Sequence, residues 1–188
     1  ASVADGAEKE DLNARADALF AEWDTTVKPG CSMAASKDGT IIHKRGYGMA
    51  NLEYDVPNQP YTVFHIASLS KQFTAAAIAL LVLERKISLD DSIHKYLPEI
   101  ADFGTPITIR HLVHHESGLR DQWDVLEMSG WRYSQDRITD EDAMSVLALQ
   151  KRLLFKPGEK YSYSNTNYIF MAQIVERVSG QSFRKFTT

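Results

Sequence analysis

The stretch "SLSKQFTAAAIALLVLERK", residues 68–86, limits what this chain can fold into more than any other. Alanine, leucine, isoleucine and valine dominate it, and little polar surface appears before Glu84. A surface helix would show a polar stripe at helical period, and this one has none. The pattern predicts a central helix from about Ser68 to Lys86, buried on every side. Its longest apolar run, Ala75 to Leu83, is too short to span a bilayer, so protein must supply the cover.

The rest of the sequence offers mostly helices as neighbours. Leu12, Ala16, Leu19 and Trp23 recur at helical spacing and predict a surface helix facing a core through those four residues. Pro29-Gly30 ends it. "CSMAASKDGTIIHKRGYGMA" reads as two strands joined at Asp38-Gly39, a strong hairpin signal. Gly46 and Gly48 mark a close backbone approach or a bulge. An irregular stretch with Pro57 and Pro60 follows. "LDDSIHKYLPE" predicts a short helix stopped before Pro98. Thr108 can cap "IRHLVHH". Thr139 with Asp142 resembles a capping arrangement ahead of a helix from Ala143 to Leu154. Asn165 or Thr166 can cap a last long helix that ends at Gly180. The hairpin is the one firm sheet signal, and a hairpin alone is marginal. The sheet is therefore under-supported for a chain of 188 residues, which is long enough for one large domain or two small ones.

Composition narrows the function classes. Apolar residues make up 44% and charged residues 24%, which permits a sizeable core and excludes a disordered chain. A formal net charge of -4, with no basic run, argues against a nucleic-acid binder. Cys31 is the single cysteine, so an intrachain disulfide and a thiolate metal cluster are both excluded. The opening "ASVADGAEKEDL" has no methionine and no apolar signal segment, which fits a processed mature end or a sequence boundary.

Ser68 and Lys71 stand i,i+3, on one helical face and about one turn apart. Ser68 falls near the first turn, where free N–H groups favour developing negative charge. A serine hydroxyl needs a base within hydrogen-bond reach to become a nucleophile. Lys71 can serve if its apolar surroundings disfavour the charged amine. The plain alternative makes Ser68 or Ser70 a helix cap and lets Lys71 reach water.

"FKPGEKYSYSNTNY" places Tyr163-Ser164-Asn165 before a helix. Tyr163 is a candidate second acid/base, provided a cation such as Lys71 lowers its pKa. A serine–lysine–tyrosine network can carry the nucleophile's proton to a leaving group. Asn165 can serve the lysine region or a substrate carbonyl, or simply cap the helix. Tyr161 competes for any role given to Tyr163. The activity reading requires the hydroxyl of Ser68, the amine of Lys71 and the phenol of Tyr163 to meet.

Taken together, "SLSK" at Ser68–Lys71, "HHESGL" at His114–Leu119 and "YSN" at Tyr163–Asn165 resemble the serine β-lactamase and penicillin-binding protein family, in its class C β-lactamase, DD-peptidase and esterase branch. The framing segments "DGTIIHKRGYGMANLE", "LDDSIHKYLPE", "ITIRHLVHHESGLRD" and "FKPGEKYSYSNTNY" also match, from about residue 29 to the end. The resemblance implies an α/β (α+β) fold, with an antiparallel sheet flanked by helices plus a helical region. It divides this chain into an N-terminal helix and hairpin, residues 1–66, and a mostly helical region, residues 67–188, that carries the nucleophile. By the same resemblance Ser68 is the acylated nucleophile and its backbone N–H half of the oxyanion hole. Lys71 is the partner that deprotonates it, Tyr163 the base and proton shuttle, and Asn165 the amide that orients substrate. Ser117-Gly118 is a structural signature. This sequence has Glu116 where the family usually has threonine, a change that matters little if solvent-facing and more if buried.

The family also carries a Lys-Thr-Gly or His-x-Gly element on a late strand, and none follows Asn165. That strand supplies the second oxyanion donor, and one such donor contributes about 3 kcal/mol of transition-state stabilisation. The absence agrees with the under-supported sheet. The chain resembles the N-terminal half of a longer protein, with the C-terminal portion as a possible partner piece.

The expected activity is acyl transfer to water on β-lactams, D-amino-acid peptides or small esters. The alternative is a non-catalytic homologue that binds acyl or peptidoglycan-like ligands without turnover. Expected partners are a small-molecule or peptide substrate, with no nucleic acid and no membrane span. No cofactor is expected, and the resemblance implies a periplasmic or secreted location. His111, His114 and His115 have zinc-like spacing, but the plain reading is a short helix with locally bonded histidines, so no metal is assigned. Asp90, Asp91, Asp140 and Asp142 stand where helix starts need acceptors, not as catalytic carboxylate pairs.

Overall fold

Asp38 and Gly39 both take left-handed backbone, with φ of 50° and 75°. That is the geometry a two-residue hairpin turn demands, because it matches the twist of the flanking strands. It joins β1 (Cys31–Lys37) to β2 (Thr40–Tyr47) in an antiparallel pair running from Cys31↔Tyr47 to Lys37↔Thr40, with an irregularity between Ala35 and Ser36. The structure, a computed structural model, describes residues 3–188. It divides into two compact units, Ala1–His65 and Ile66–Thr188.

The first unit holds the hairpin, a helix α1 (Val3–Phe20) and two short strands, β3 (Met49–Asn51) and β4 (Val56–Pro57). β3 and β4 pair antiparallel inside the stretch that sequence predicts to be irregular. Strands of two or three residues leave no periodicity to read, and Pro57 stands at a strand end, where a missing N–H is tolerated. Gly46 is a close approach: a Cβ there would lie 2.2 Å from the Asn58 carbonyl oxygen.

α1 turns a different face inward from the one its apolar residues predict. Ala16 is buried, but Leu19 is 74% exposed, and Trp23 follows the helix in a turn. The inward line is Asn13, Ala16, Asp17 and Phe20. The Asn13 side chain lies 2.6 Å from His43 Nδ1. Asp17 accepts from the Tyr47 hydroxyl at 2.8 Å and from Arg45 at 2.5 Å. Phe20 stacks on the Tyr47 ring, centroids 4.6 Å apart. The face that meets β2 is polar, so hydrophobic periodicity points elsewhere. Tyr47 is fully buried, and its phenol is pushed up to about 12 by burial first and by the Asp17 carboxylate second.

In the second unit a 3-10 turn, Ala67–Ser70, leads into α2 (Lys71–Leu83). A second 3-10 turn covers Ile93–Lys95, where sequence predicts a short helix. Then come α3 (Ile109–Val113), α4 (Gln122–Met128), α5 (Asp140–Ala148), α6 (Asn165–Ser179) and α7 (Phe183–Phe186). α2 packs on α6, and α3 packs on α6 as well. Ile78 and Leu81 of α2, Leu112 of α3, and Phe170, Met171 and Ile174 of α6 are at most 1% exposed. Each such side chain stabilises the fold by about 1.5–3 kcal/mol on burial.

α2 is not covered on all sides. Its buried stripe is Thr74, Ala77, Ile78 and Leu81, whereas Phe73 is 53% exposed and Leu83 79%. An all-apolar sequence permits full burial, but burial also needs a neighbour on each side. α6 supplies one on the striped side.

Both threonine caps form as sequence predicts. Thr108 accepts from His111 N, and Thr139 from Asp142 N. The last long helix begins differently: its N-cap is Ser164, which makes no side-chain cap bond, and Gly180 closes it at φ 68°. α5 stops at Ala148, short of the predicted Leu154, because the following chain runs along residues 116–118 instead. Leu154 N donates to the Gly118 carbonyl and Gly158 N to that of Glu116.

Candidate active site

Ser68 stands in the 3-10 turn just ahead of α2, directly after Ala67, whose φ of 45° is left-handed. That conformation costs a non-glycine residue about 1–2 kcal/mol. Lys71 is the first residue of α2, so its side chain comes back onto Ser68, with Nζ donating to Oγ at 3.1 Å. Ser68 Oγ lies 2.7 Å from the Tyr163 hydroxyl. Lys71 Nζ also donates to Asn165 Oδ1 at 2.7 Å. The Tyr163 hydroxyl donates to the same oxygen at 3.3 Å. The four predicted site residues therefore meet in one hydrogen-bonded cluster, although Tyr163 is 95 positions from Ser68.

None of these side chains is a helix cap. The Ser68 hydroxyl is engaged by Lys71 and Tyr163, and Ser70, the N-cap of α2, makes no side-chain cap bond. Tyr161 is 65% exposed and makes a T-shaped contact with His115, whereas the hydroxyl of Tyr163 reaches Ser68.

The surroundings of Lys71 differ from the apolar pocket that sequence predicts. Lys71 is half-buried and lies over two aromatic faces, 5.0 Å from the Tyr163 centroid and 5.5 Å from that of Tyr168. The aliphatic stripe of α2, Ala77, Ile78 and Leu81, begins further along the helix, and the groups at Lys71 itself are the polar and aromatic side chains of Ser68, Tyr163, Asn165 and Tyr168. Burial pushes the Tyr163 phenol up, but hydrogen bonds from Lys71 and Ser68, and the Lys71 charge, outweigh it. The net pKa lies below the ordinary 10.0.

Sequence reasoning misses Asp121 and the supporting role of His115, which hold this cluster from behind. Asp121 caps α4, its Oδ1 accepting from Trp123 N at 2.9 Å. Its Oδ2 accepts from Asn165 N at 2.6 Å and from Asn165 Nδ2 at 2.8 Å. His115 takes a left-handed φ of 57° and is 8% exposed. Its ring stacks on Tyr163, and its Nδ1 accepts from Ser164 N at 3.2 Å and from Asn167 Nδ2 at 3.1 Å. Two donors on Nδ1 assign the proton to Nε2. Ser117 Oγ donates to Asn167 Oδ1 at 2.5 Å and completes the chain of bonds. Gly118 has φ 75°, and a Cβ there would lie 2.2 Å from the Phe155 carbonyl oxygen. The "HESG" signature is thus a template for the segment that carries Tyr163 and Asn165. Glu116, the departure from the family pattern, is half-buried. Sequence reading had singled out His115 for its spacing and Ser117-Gly118 as a structural signature, but not Asp121.

The other chemistry-bearing residues lie apart from the cluster and have local tasks. His111 Nδ1 accepts from Thr108 N. Asp90 pairs with Arg110, and Asp91 accepts from Tyr96 and Lys95. Among the described residues no helix is long and apolar enough to cross a membrane.

Comparison with known proteins bears on this arrangement. The family described as Beta-lactamase matches residues 16–188. A D-aminopeptidase of Gluconobacter oxydans (strain 621H) is 35% identical over 155 residues, covering 82% of this chain and 29% of that protein. Penicillin-binding protein 4* of Bacillus subtilis (strain 168) is 32% identical over 160 residues, covering 82% and 34%. The structure of an octameric penicillin-binding protein homologue from Pyrococcus abyssi superposes with a TM-score of 0.73 at 32% identity, covering 97% of this chain and 41% of that one. The chain spans about a third of the length of the curated relatives it matches. With the family matched across nearly all of its residues, and the fold shared with a solved homologue, this chain belongs to the beta-lactamase family, within the penicillin-binding protein and β-lactamase superfamily.

Proposed function

We propose that this chain carries the nucleophile and proton-transfer groups of a serine hydrolase, acting on an amide, lactam or ester carbonyl. The observation that carries the reading is the Ser68–Lys71–Tyr163 cluster, with Oγ 2.7 Å from one partner and 3.1 Å from the other.

Ser68 Oγ attacks the carbonyl carbon, and its proton passes to the Lys71–Tyr163 pair. The carbonyl oxygen becomes an oxyanion, stabilised by the Ser68 N–H at the helix start. Collapse breaks the bond to the leaving nitrogen or oxygen, which takes a proton back from the pair. An ester on Ser68 remains. Water then attacks that ester, gives its proton to the same pair, and releases an acid with Ser68 restored. Asn165 orients Lys71 and presents its amide at the edge of the site.

The named relatives weigh toward amides that contain D-amino acids, since D-aminopeptidases recur among them. β-lactams and small esters share the same attacked group. A periplasmic or secreted location accompanies this reading.

The test is intact mass after incubation with a fluorophosphonate and with a β-lactam. The expected result is an adduct on Ser68, absent from Ser68→Ala. With a D-amino-acid amide, release of the free amine establishes turnover. An adduct that forms without any turnover favours a ligand-binding homologue, and a folded protein that takes no adduct overturns the reading.

A further inference from the structure

Asn165 stands between two groups with opposite demands. On one side the Asp121 carboxylate, an acceptor only, lies 2.8 Å from the amide nitrogen. On the other side Lys71 Nζ, a donor, lies 2.7 Å from the amide oxygen. Turning the amide over would set oxygen against carboxylate and N–H against amine, losing both bonds. The side chain alone has no preference for either orientation. The carboxylate supplies one, and the Asn165 backbone N–H on the same Oδ2, at 2.6 Å, keeps that oxygen in place.

We propose that Asp121 is a positioning residue of this site: its carboxylate sets which way round the Asn165 amide stands, and through that amide where Lys71 points. The assignment rests on the serine-hydrolase reading above. Oδ1 of Asp121 is held by Trp123 N at the start of α4, so the carboxylate is fixed from its own element and reaches α6 with its second oxygen. Asn165 Oδ1 then gathers Lys71 and Tyr163 on the side facing Ser68. The ionisable groups around this point are Lys71 from α2, Tyr163 and Tyr161 from the run before α6, Tyr168 from α6, and His115 from the loop after α3. Burial and the Asp121 charge both push the Tyr163 phenol upward, against the downward pull of Lys71 and Ser68.

The experiment measures the rate of fluorophosphonate labelling at Ser68, by intact mass, from acid to alkaline pH. It compares wild type, D121N, D121E, N165A and the D121N/N165A double variant. D121N should label about 10- to 100-fold more slowly, the scale of loss from a misplaced catalytic group. The limb of its pH profile should move to lower pH, because a negative charge that favours protonation is gone. D121E keeps the charge and should leave the limb unmoved while recovering part of the rate. In the N165A background D121N should add no more than about a twofold effect, since Asp121 acts through that amide. Wild-type rate and limb in D121N would overturn the assignment, as would an equal slowing on the N165A background. If D121N does not fold, D121E decides: a slower rate with the limb in place supports the assignment, and a wild-type rate overturns it. If wild type itself takes no label at Ser68, the hydrolase reading fails first and the assignment falls with it. Labelled wild type with an indifferent Asp121 sinks the assignment alone.

Discussion

Tyr163 lies face to face with His115, ring centroids 4.5 Å apart and planes 28° from parallel. The phenol that reaches Ser68 is therefore seated on a buried imidazole whose Nδ1 is already occupied by two donors. A protonated ring would aim a third N–H at those donors.

That arrangement predicts acid sensitivity. Burial pushes the His115 pKa below 6.5, and the Lys71 charge pushes it the same way. A folded-state pKa below the unfolded one means that the unfolded chain binds the proton more readily. The stability contribution is complete above pH 6.5 and is lost as pH falls toward the folded value. His111, also lowered by burial, adds to the same slope. Melting temperature followed from neutral to acid pH should fall in wild type and fall less steeply in His115→Asn, which keeps a side-chain acceptor but does not titrate.

Lys71→Ala should reduce acylation by about 10²–10⁴-fold, the usual contribution of a positioned acid or base. It should leave the melting temperature within a few degrees, because Lys71 is half-buried and outside the α2–α6 core. Lys71→Arg should not rescue, since a guanidinium cannot give up its proton. Labelling kinetics on folded variants check both, and wild-type rates in Lys71→Ala would refute the role.

Tyr163→Phe keeps the ring on His115 and removes only the hydroxyl. Labelling should slow by about 10²–10⁴-fold with the melt unchanged. The wild-type rate should rise with pH along a limb whose midpoint lies below 10.0, because Lys71 and Ser68 outweigh burial at this phenol. Tyr163→Phe should lack that limb. A variant that retains it assigns the limb to another group.

Gly118→Ala and Gly39→Ala separate backbone conformation from contact. Both glycines have φ 75°. At Gly39 a Cβ meets nothing within 4 Å, so the cost is the left-handed conformation alone, about 1–2 kcal/mol. At Gly118 the Cβ would also lie 2.2 Å from a backbone oxygen of Phe155, which no rotamer change relieves. Denaturant melts should show Gly118→Ala as clearly the more damaged, with its labelling lost alongside, because residue 118 holds the chain that leads to Tyr163.

Local chemistry was legible in the sequence wherever it has a short-range cause. The Asp38-Gly39 turn, the Thr108 and Thr139 caps and the Gly180 stop each depend on neighbours within a few residues. Hydrophobic pattern was a weaker guide. It turned α1 the wrong way because Asn13 and Asp17 dock through hydrogen bonds, and it buried all of α2 because a sequence does not reveal how many sides of a helix have neighbours. Ser68 and Lys71 are one helical turn apart, so their meeting could be read directly. Tyr163 and Asn165 were candidates by residue chemistry and gained specific roles only from motif resemblance, while His115 was read for its spacing alone and Asp121 went unnoticed. Their roles arise from contacts spanning 44 and 49 positions, beyond the reach of any local rule.

One acid at position 121 fastens the starts of two helices, α4 and α6. Such a joint leaves these helices little independence: sliding either one along its axis strains a bond to the other. Wherever a neighbouring surface presses on α4, the displacement is felt at the Asn165 amide beside the Ser68 hydroxyl.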